Sequence, residues 1–505
     1  MSTDKVSKDK EKGPQARLAR GFRDISAGDA RARLETLACL RDVYQRFGFE
    51  PLETPAIEYA DALGKFLPDQ DRPNQGVFSF LDDDEQWLAL RYDLTAPLAR
   101  YVAENYDALP KPFRRYQTGP VWRNEKPGPG RFREFVQFDA DTVGSASPAA
   151  DAELCILAAT ALEALGLRTG EFIVKVNSRK VLDGVLEMAG VGAGDTRKHL
   201  TILRAIDKFD RLGLDGVTRL LGQGRKDESG DFTKGAELEP AQIQRILNYV
   251  VVQPFGESFA QQTWSSAFEV WRRVVQGSAI GQAGVAELEA MGVLFEAAGF
   301  GPDRIQFDPG IVRGLEYYTG PVFEAALTFS VANEKGETVQ FGSIAGGGRY
   351  DGLVTRLKGI DVPATGISIG VDRLLAGLAS RKRDGATFDG PVVVLVLDQQ
   401  RIGDYQAMAQ ELRAAGIRAE LYLGTSGMRA QMKYADKRRA PVAVIQGGDE
   451  LARGEVTLKD LALGAELAGG IESAEEWRKG QPAQVAVPRA SLVAGVKDIL
   501  ARGTK

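Results

Sequence analysis

The sequence is short of the residues that soft metals and imidazole-based catalysis require. Its 505 residues include one histidine, His199, and two cysteines, Cys39 and Cys155. That stock excludes a Cys/His zinc cluster and leaves little from which to build a Ser-His-Asp triad or a Cys/His nucleophile pair. Two distant cysteines also exclude a disulfide framework and point to a reducing compartment. No run approaches the roughly 18 apolar residues of a membrane span; the densest, 392–397, is strand-sized. The N-terminus, MSTDKVSKDKEKGPQAR, is lysine-rich but lacks the apolar stretch of a signal peptide. A cytoplasmic protein with a solvated tail over 1–20 is the expectation, with no membrane partner. Lys+Arg 64 against Asp+Glu 69 gives a net charge of −5, so no global basic field is present and any polyanion must meet a local patch.

What is present reads as a multidomain globular chain. Apolar residues make up 44% and charged residues 26%, the balance of a soluble protein, and the length suggests about three domains. Apolar residues recur at helical spacing from Ala27 to Phe47. Residues 113–144 alternate as two strands around a Gly/Pro tip, 127–130, which predicts a hairpin. A helix follows from about Pro148 to Leu165, with Ser147 as N-cap and Gly166 beyond its end. Leucine, alanine and charge at helical spacing over 185–300 predict a mostly helical insertion. Strand patterns return between 304 and 369. After a polar linker, 381–390, strands and helices alternate through 391–505, which predicts an α/β domain with a largely parallel sheet.

The residues fit for chemistry cluster in three segments. In the hairpin, Arg123 and Glu125 share one strand face, Arg131 and Arg133 follow the tip, and Gln137, Asp139 and Asp141 alternate after them. Such a face offers arginine forks for phosphate or carboxylate, with an amide and carboxylates for a small polar ligand; a surface ribbon of alternating charge has the same pattern. IVRGLEYYTGPVFE supplies Arg313, Glu316, Tyr317 and Tyr318, and SIAGGGRYDGL supplies Gly346–Gly348 before Arg349. Neither contains a P-loop or a dinucleotide fingerprint. GISIGVDRLL puts Arg373 at a strand-to-helix junction, where an anion meets backbone N–H groups. Many arginines at strand ends without a histidine base suit chemistry that neutralises and orients phosphate.

Taken in order, these segments resemble the class II aminoacyl-tRNA synthetases, and within them the histidyl-tRNA synthetases, from about Gly21 to Leu463. Pro55 and its neighbours resemble motif 1, WRNEKPGPGRFREFVQFDADTVG motif 2 and GISIGVDRLL motif 3. VRGLEYYTGPVFE and SIAGGGRYDG are similar to the two histidine-specific signatures. The resemblance implies an α/β (α+β) fold: an antiparallel-sheet catalytic core over 21–184 and 301–380, a helical insertion over 185–300 lying on the acceptor stem, and an anticodon-binding α/β domain over 391–505.

It also implies roles. Arg123 would hold the α-phosphate of ATP and the histidine carboxylate, Arg313 the other side of that phosphate, and Arg373 the γ-phosphate. Glu125 and Arg131 would contact adenine and phosphates, with Phe135 stacked on the base. Asp93, Thr95 and Gln137 would hold the substrate amino group. Asp141, Tyr317 and Tyr318 would read the imidazole, a carboxylate accepting from its N–H. ATP is implied as a substrate, with Mg2+ bridging its β- and γ-phosphates on protein ligands that the sequence does not name. The partners implied are L-histidine, tRNA(His) and a second copy in a homodimer. Arg429, Lys433, Lys437, Arg438 and Arg439 form the basic helix face expected to meet tRNA phosphates. The other reading is a catalytically silent, histidine-binding paralogue that regulates ATP phosphoribosyltransferase. Such a paralogue generally lacks the C-terminal domain and some of the arginines, all of which stand here. Asp93 and Asp141 replace glutamates common in bacterial members, and the EKPGPG loop also departs from their pattern.

Overall fold

A computed structural model describes residues 15–63, 76–127, 131–192, 194–226, 230–250, 264–312, 318–332, 338–381, 388–468 and 483–502. The chain divides into two compact units, Met1–Arg381 and Lys382–Lys505.

The larger unit opens with helix α1 (Ala27–Arg46), whose N-cap Ser26 accepts from the Asp29 N–H at 3.2 Å. Strands β1 (Glu50–Pro51) and β2 (Ile57–Tyr59), helix α2 (Ala60–Leu63), strands β3 (Ser79–Leu81) and β4 (Trp87–Leu90), and helix α3 (Thr95–Asn105) lead to the hairpin. The hairpin is β5 (Phe113–Trp122) and β6 (Glu134–Val143), antiparallel from Phe113–Val143 to Trp122–Glu134. Helix α4 (Pro148–Ala164) starts where Ser147 and Pro148 predict, since the serine side chain accepts from Ala149 N–H at 3.2 Å. Strand β7 (Phe172–Ser178) precedes α5 (Arg179–Met188), α6 (Thr196–Ile206), α7 (Phe209–Leu221), the short pair β8 (Gly224–Lys226) and β9 (Phe232–Lys234), α8 (Pro240–Val250), α9 (Trp264–Val274) and α10 (Ala279–Ala297). The unit closes with β10 (Ile305–Phe307), β11 (Pro321–Ala332), β12 (Thr338–Arg349), α11 (Gly352–Lys358), β13 (Ala364–Gly370) and α12 (Val371–Ser380).

Eight strands form one sheet in the order β1-β5-β6-β13-β12-β11-β7-β10, antiparallel except for its two edge pairs. Side chains alternate between its faces. One face carries Tyr116, Phe138, Ala140, Ile367, Phe323 and Val174, all buried. It packs on α4, which joins β13, β7 and β11, with α1, α10 and α12 beside it. Tyr116 stacks on Phe138 with centroids 5.7 Å apart, and Tyr44 of α1 meets the same ring edge-on at 4.7 Å. Such contacts add to the hydrophobic burial that holds the sheet on its helices. The opposite face is polar along β5 and β6 and glycine-lined along β12 and β13. That face is the candidate site.

The smaller unit contains β14 (Val392–Val394), α13 (Ile402–Ala414), β15 (Ala419–Leu421), α14 (Met428–Lys437), β16 (Val442–Ile445), α15 (Gly448–Ala452), β17 (Glu455–Asp460), α16 (Leu461–Ala468), β18 (Gln484–Pro488) and α17 (Leu492–Arg502). Its sheet runs β15-β14-β16-β17-β18. The expectation of a largely parallel sheet holds for β15, β14 and β16 only; β17 and β18 pair antiparallel. The stretch 446–454 is shorter than the roughly dozen residues a parallel crossover requires, so β17 must return alongside β16.

Candidate active site

Cross-strand register brings the site together. On β6, Gln137 lies opposite Gly119 and Gly370, Asp139 opposite Gln117 and Ser368, and Asp141 opposite Arg115 and Gly366. All three β6 side chains are buried. Glycines make the room: a Cβ on Gly366 would lie 1.9 Å from Asp141 Oδ1, and one on Gly348 would lie 2.9 Å from the ring of Tyr318. These strands therefore form a trough walled by polar side chains on one side and by bare backbone on the other.

Arg123 follows β5, and its guanidinium lies 4.3 Å from the centroid of Tyr92 and 4.9 Å from that of Phe135. Its Nε points at Tyr92 O, 3.4 Å away. The Tyr92 hydroxyl donates to Glu125 Oε1 at 3.3 Å. Arg123, Glu125 and Phe135 are thus one cluster at the mouth of the trough. Asp93 Oδ1 accepts from the N–H groups of Thr95 and Ala96 at 3.1 and 2.9 Å, capping α3. Gln137 donates from Nε2 to Ser368 Oγ at 2.8 Å, and its buried Oε1 has no hydrogen-bond partner among the described residues. Arg373 is exposed on α12 and donates to Phe341 O at 3.0 Å. Arg131 is exposed after the hairpin tip. Tyr318 packs half-buried against the Leu98–Leu353 cluster. Arg313, Tyr317, the tail 1–14 and the tip 128–130 lie outside the described residues.

Asp141 is buried between two polar side chains. Its Oδ1 accepts from the Tyr350 hydroxyl, and its Oδ2 lies 2.9 Å from Arg115 Nη2. Burial raises its pKa, while Arg115 and Tyr350 oppose the rise. Asp139 is pushed up to about 8, chiefly by burial, with Arg115 working against it and Asp141 adding to it. The two carboxyls share Arg115 and titrate as a pair rather than singly.

Several residues of the site carry no role in the sequence reading: Arg115, Tyr92, Arg91, Ser368 and Tyr350. Arg115 and Gln117 continue on β5 the same alternation that marks 137, 139 and 141, a signal that was available. Arg91 lies across Gly119, donating to Pro120 O and Thr54 O at 2.9 Å each. A Cβ on Gly119 would collide with its Nη2 at 2.3 Å, so glycine there admits the arginine. Ser368 and Tyr350 lie inside GISIGVDRLL and SIAGGGRYDG, but nothing in those segments names their partners on β6, more than two hundred residues away.

In the smaller unit, Gln431 fixes α14 by bonding both Val396 N–H and Val396 O, at 2.8 and 2.6 Å. Arg429, Lys433 and Lys437 are exposed at four-residue intervals, hence along one stripe. Arg438 and Arg439 differ: Arg438 forks onto Glu420 with two 2.9 Å bonds, and Arg439 pairs with Asp389.

The model of the histidyl-tRNA synthetase family matches residues 21–239 and 253–374, and that of the anticodon binding domain matches 391–481. The chain belongs to the histidyl-tRNA synthetase family. A protein of Brucella ovis named histidine–tRNA ligase is 57% identical over 496 residues, 97% of each chain. One of that name from Cereibacter sphaeroides is 57% identical over 506 residues, covering 99% of this chain and 100% of the other. The crystal structure of histidyl-tRNA synthetase from Nostoc sp. PCC 7120 superposes with a TM-score of 0.72 at 28% identity, covering 97% of this chain and all of that one. The antiparallel sheet thus lies in the segments matched by the synthetase family, and the smaller unit contains its anticodon-binding domain.

Proposed function

We infer that this chain joins L-histidine to tRNA(His) in two steps, forming histidyl-adenylate from histidine and ATP with release of pyrophosphate, then passing the acyl group to the tRNA with release of AMP. The observation that carries this reading is the near full-length identity to named histidine–tRNA ligases. The chemistry of the trough supports it. Adenylation must bring a carboxylate and a triphosphate together, and their repulsion must be cancelled by fixed cations. Arg123, held between two rings, meets the α-phosphate and the incoming carboxylate; the same reading gives Arg313 the role of a second cation for the α-phosphate and Arg373 that for the γ-phosphate. ATP would enter as its magnesium complex, the ion offsetting part of the phosphate charge. Adenine stacks on Phe135 with Glu125 and Arg131 beside it. Asp93, Thr95 and Gln137 receive the amino group, and Tyr317, Tyr318 and Asp141 face the imidazole, Asp141 set in place by Arg115 and Tyr350. Histidine-dependent ATP–pyrophosphate exchange, absent with the other nineteen amino acids, is the expected result. Histidine binding without exchange would overturn it in favour of the regulatory reading.

The mostly helical stretch 185–300 we assign to the acceptor stem, and the α14 stripe to the tRNA backbone. Reversing Lys433 and Lys437 to glutamate is expected to raise the KM for tRNA(His) several-fold and to flatten its salt dependence, leaving ATP–pyrophosphate exchange unchanged. Reversing Arg438 instead breaks its fork with Glu420 and is expected to lower stability. Equal loss in both assays for the lysine pair would make the stripe structural.

A homodimer fits one feature of the small sheet β2-β4-β3. Ile57, Tyr59, Phe80, Leu88 and Leu90 share its outer face, with Ile57, Tyr59 and Phe80 exposed, while Glu58 and Ala89 are buried beneath. Sedimentation equilibrium giving a monomer at micromolar concentration would refute the dimer. Among the described residues no helix is long and apolar enough to cross a membrane, and the cytoplasm, where tRNA is charged, is the compartment we assign.

A further inference from the structure

We propose that Ser368 and Asp139 form a relay that sets which end of the Gln137 amide faces the substrate, making both of them positioning residues for histidine. The proposal rests on the reading of Gln137 as acceptor for the histidine amino group.

The argument follows from hydrogen-bond inventory. Gln137 Nε2 donates to Ser368 Oγ at 2.8 Å, and Ser368 stands directly opposite Asp139 in the β13–β6 register, on the same face, where its hydroxyl can donate to that carboxylate. A serine hydroxyl has one hydrogen, and an ionised carboxylate only accepts. When Asp139 is charged, that hydrogen must go to it, and Ser368 has only a lone pair to offer Gln137. The amide must then present its NH2 group to Ser368 and its oxygen away from it. That oxygen, Gln137 Oε1, is buried and has no hydrogen-bond partner among the described residues. An incoming ammonium supplies the donor it lacks. Turned the other way, the amide would set its own N–H donors against those of the ammonium, a mismatch that a buried site penalises.

The charge of Asp139 is therefore read out two bonds away. It is faced by Arg115 from β5, Arg91 after β4, Asp141 on its own strand and Asp93 ahead of α3, with Tyr44 across the sheet. The arginines favour its ionised form; burial and the two aspartates oppose it. Once protonated, Asp139 can itself donate to Ser368, freeing the serine hydrogen for Gln137 Oε1, and the amide is no longer held. An ammonium beside Gln137 favours both the ionised carboxylate and the oxygen-inward amide, so the three states are coupled.

The test uses the full-length enzyme in histidine-dependent ATP–pyrophosphate exchange, with Ser368→Ala, Ser368→Thr, Asp139→Asn and Gln137→Ala. Losing one hydrogen bond to a charged group corresponds to roughly 10- to 100-fold in affinity. Ser368→Ala and Asp139→Asn are expected to raise the KM for histidine by roughly tenfold or more while leaving the KM for ATP unchanged. Ser368→Thr, which keeps the hydroxyl, restores the wild-type value. Ser368→Ala added to Gln137→Ala changes nothing further. Across rising pH the wild-type KM for histidine should fall relative to that of Asp139→Asn, as Asp139 ionises above the usual carboxylate range. If Gln137→Ala raises the KM and Ser368→Ala does not, the relay is wrong and the amide contact stands. If Gln137→Ala has no effect, the contact reading fails and the relay with it. A Ser368→Ala defect shared by ATP, or one that threonine does not rescue, makes the serine structural and overturns the proposal; parallel pH profiles overturn the role of the Asp139 charge.

Discussion

Replacing Arg123 with alanine is expected to slow histidyl-adenylate formation by roughly 10²–10³-fold, the loss that follows removal of one preorganised charge-stabilising group, while leaving the fold intact. Among the described residues the guanidinium makes no buried ion pair; it rests between the rings of Tyr92 and Phe135 and reaches Tyr92 O at 3.4 Å. Cation–π contacts of this kind contribute about 0.5–1 kcal/mol where partly exposed, so unfolding should shift little. In the reading proposed above, the same group faces the pentacoordinate phosphorus of the transition state, where charge is greatest. Lysine is expected to recover only part of the rate, because an ammonium cannot present the planar fork that spans two oxygens. Single-turnover adenylate formation with saturating ATP and histidine is the decisive measurement. A rate within about tenfold of wild type would remove Arg123 from the centre of the reaction. A loss confined to the KM for ATP would make it a binding residue only.

Much of this site was legible because its strands alternate. Polar residues at 137, 139 and 141, with apolar ones between, mark one strand with two dissimilar faces, and the sheet is apolar on α4 and polar on the trough as that pattern requires. Helix α4 was legible because Ser147, Pro148 and Gly166 encode its ends chemically. What escaped depends on partners distant in sequence. Asp141 alternates as a ligand-facing carboxylate would, but its surroundings are set by Arg115 across the hairpin and by Tyr350 from beyond β12. The basic run on and after α14 looks uniform in sequence; only the positions of Glu420 and Asp389 set the paired Arg438 and Arg439 apart from the stripe of Arg429, Lys433 and Lys437. The antiparallel return of β17 was hidden for a different reason, since alternation shows a strand but not its direction.

The largest stability effect is expected at Arg115. Its side chain is 0% exposed, it lies 2.9 Å from Asp141 Oδ2, and it donates to Leu94 O at 2.9 Å. Replacing it with methionine leaves Asp141 buried without its cation, and breaking a buried pair from one side typically costs about 3–5 kcal/mol. The sign of the pH dependence follows from the same geometry. Burial already holds the Asp139 and Asp141 carboxyls above their ordinary pKa, and Arg115 is the largest influence pulling both down. Without it they rise further. A group whose folded pKa is raised favours the native state below its unfolded pKa and loses that advantage as pH rises through the folded value. The deficit of Arg115→Met should therefore shrink toward acid pH, where the folded protein holds both carboxyls protonated with or without Arg115, and grow as pH rises through their folded values. Adding Asp141→Asn should recover much of the loss at neutral pH, since the uncompensated charge is then gone. Urea unfolding of wild type, single and double variants at pH 4.5 and 8 measures each of these. A deficit below about 1 kcal/mol at pH 8, or one that does not change with pH, would mean that Asp141 is not held as an ion in the folded core and that Tyr350 alone positions it.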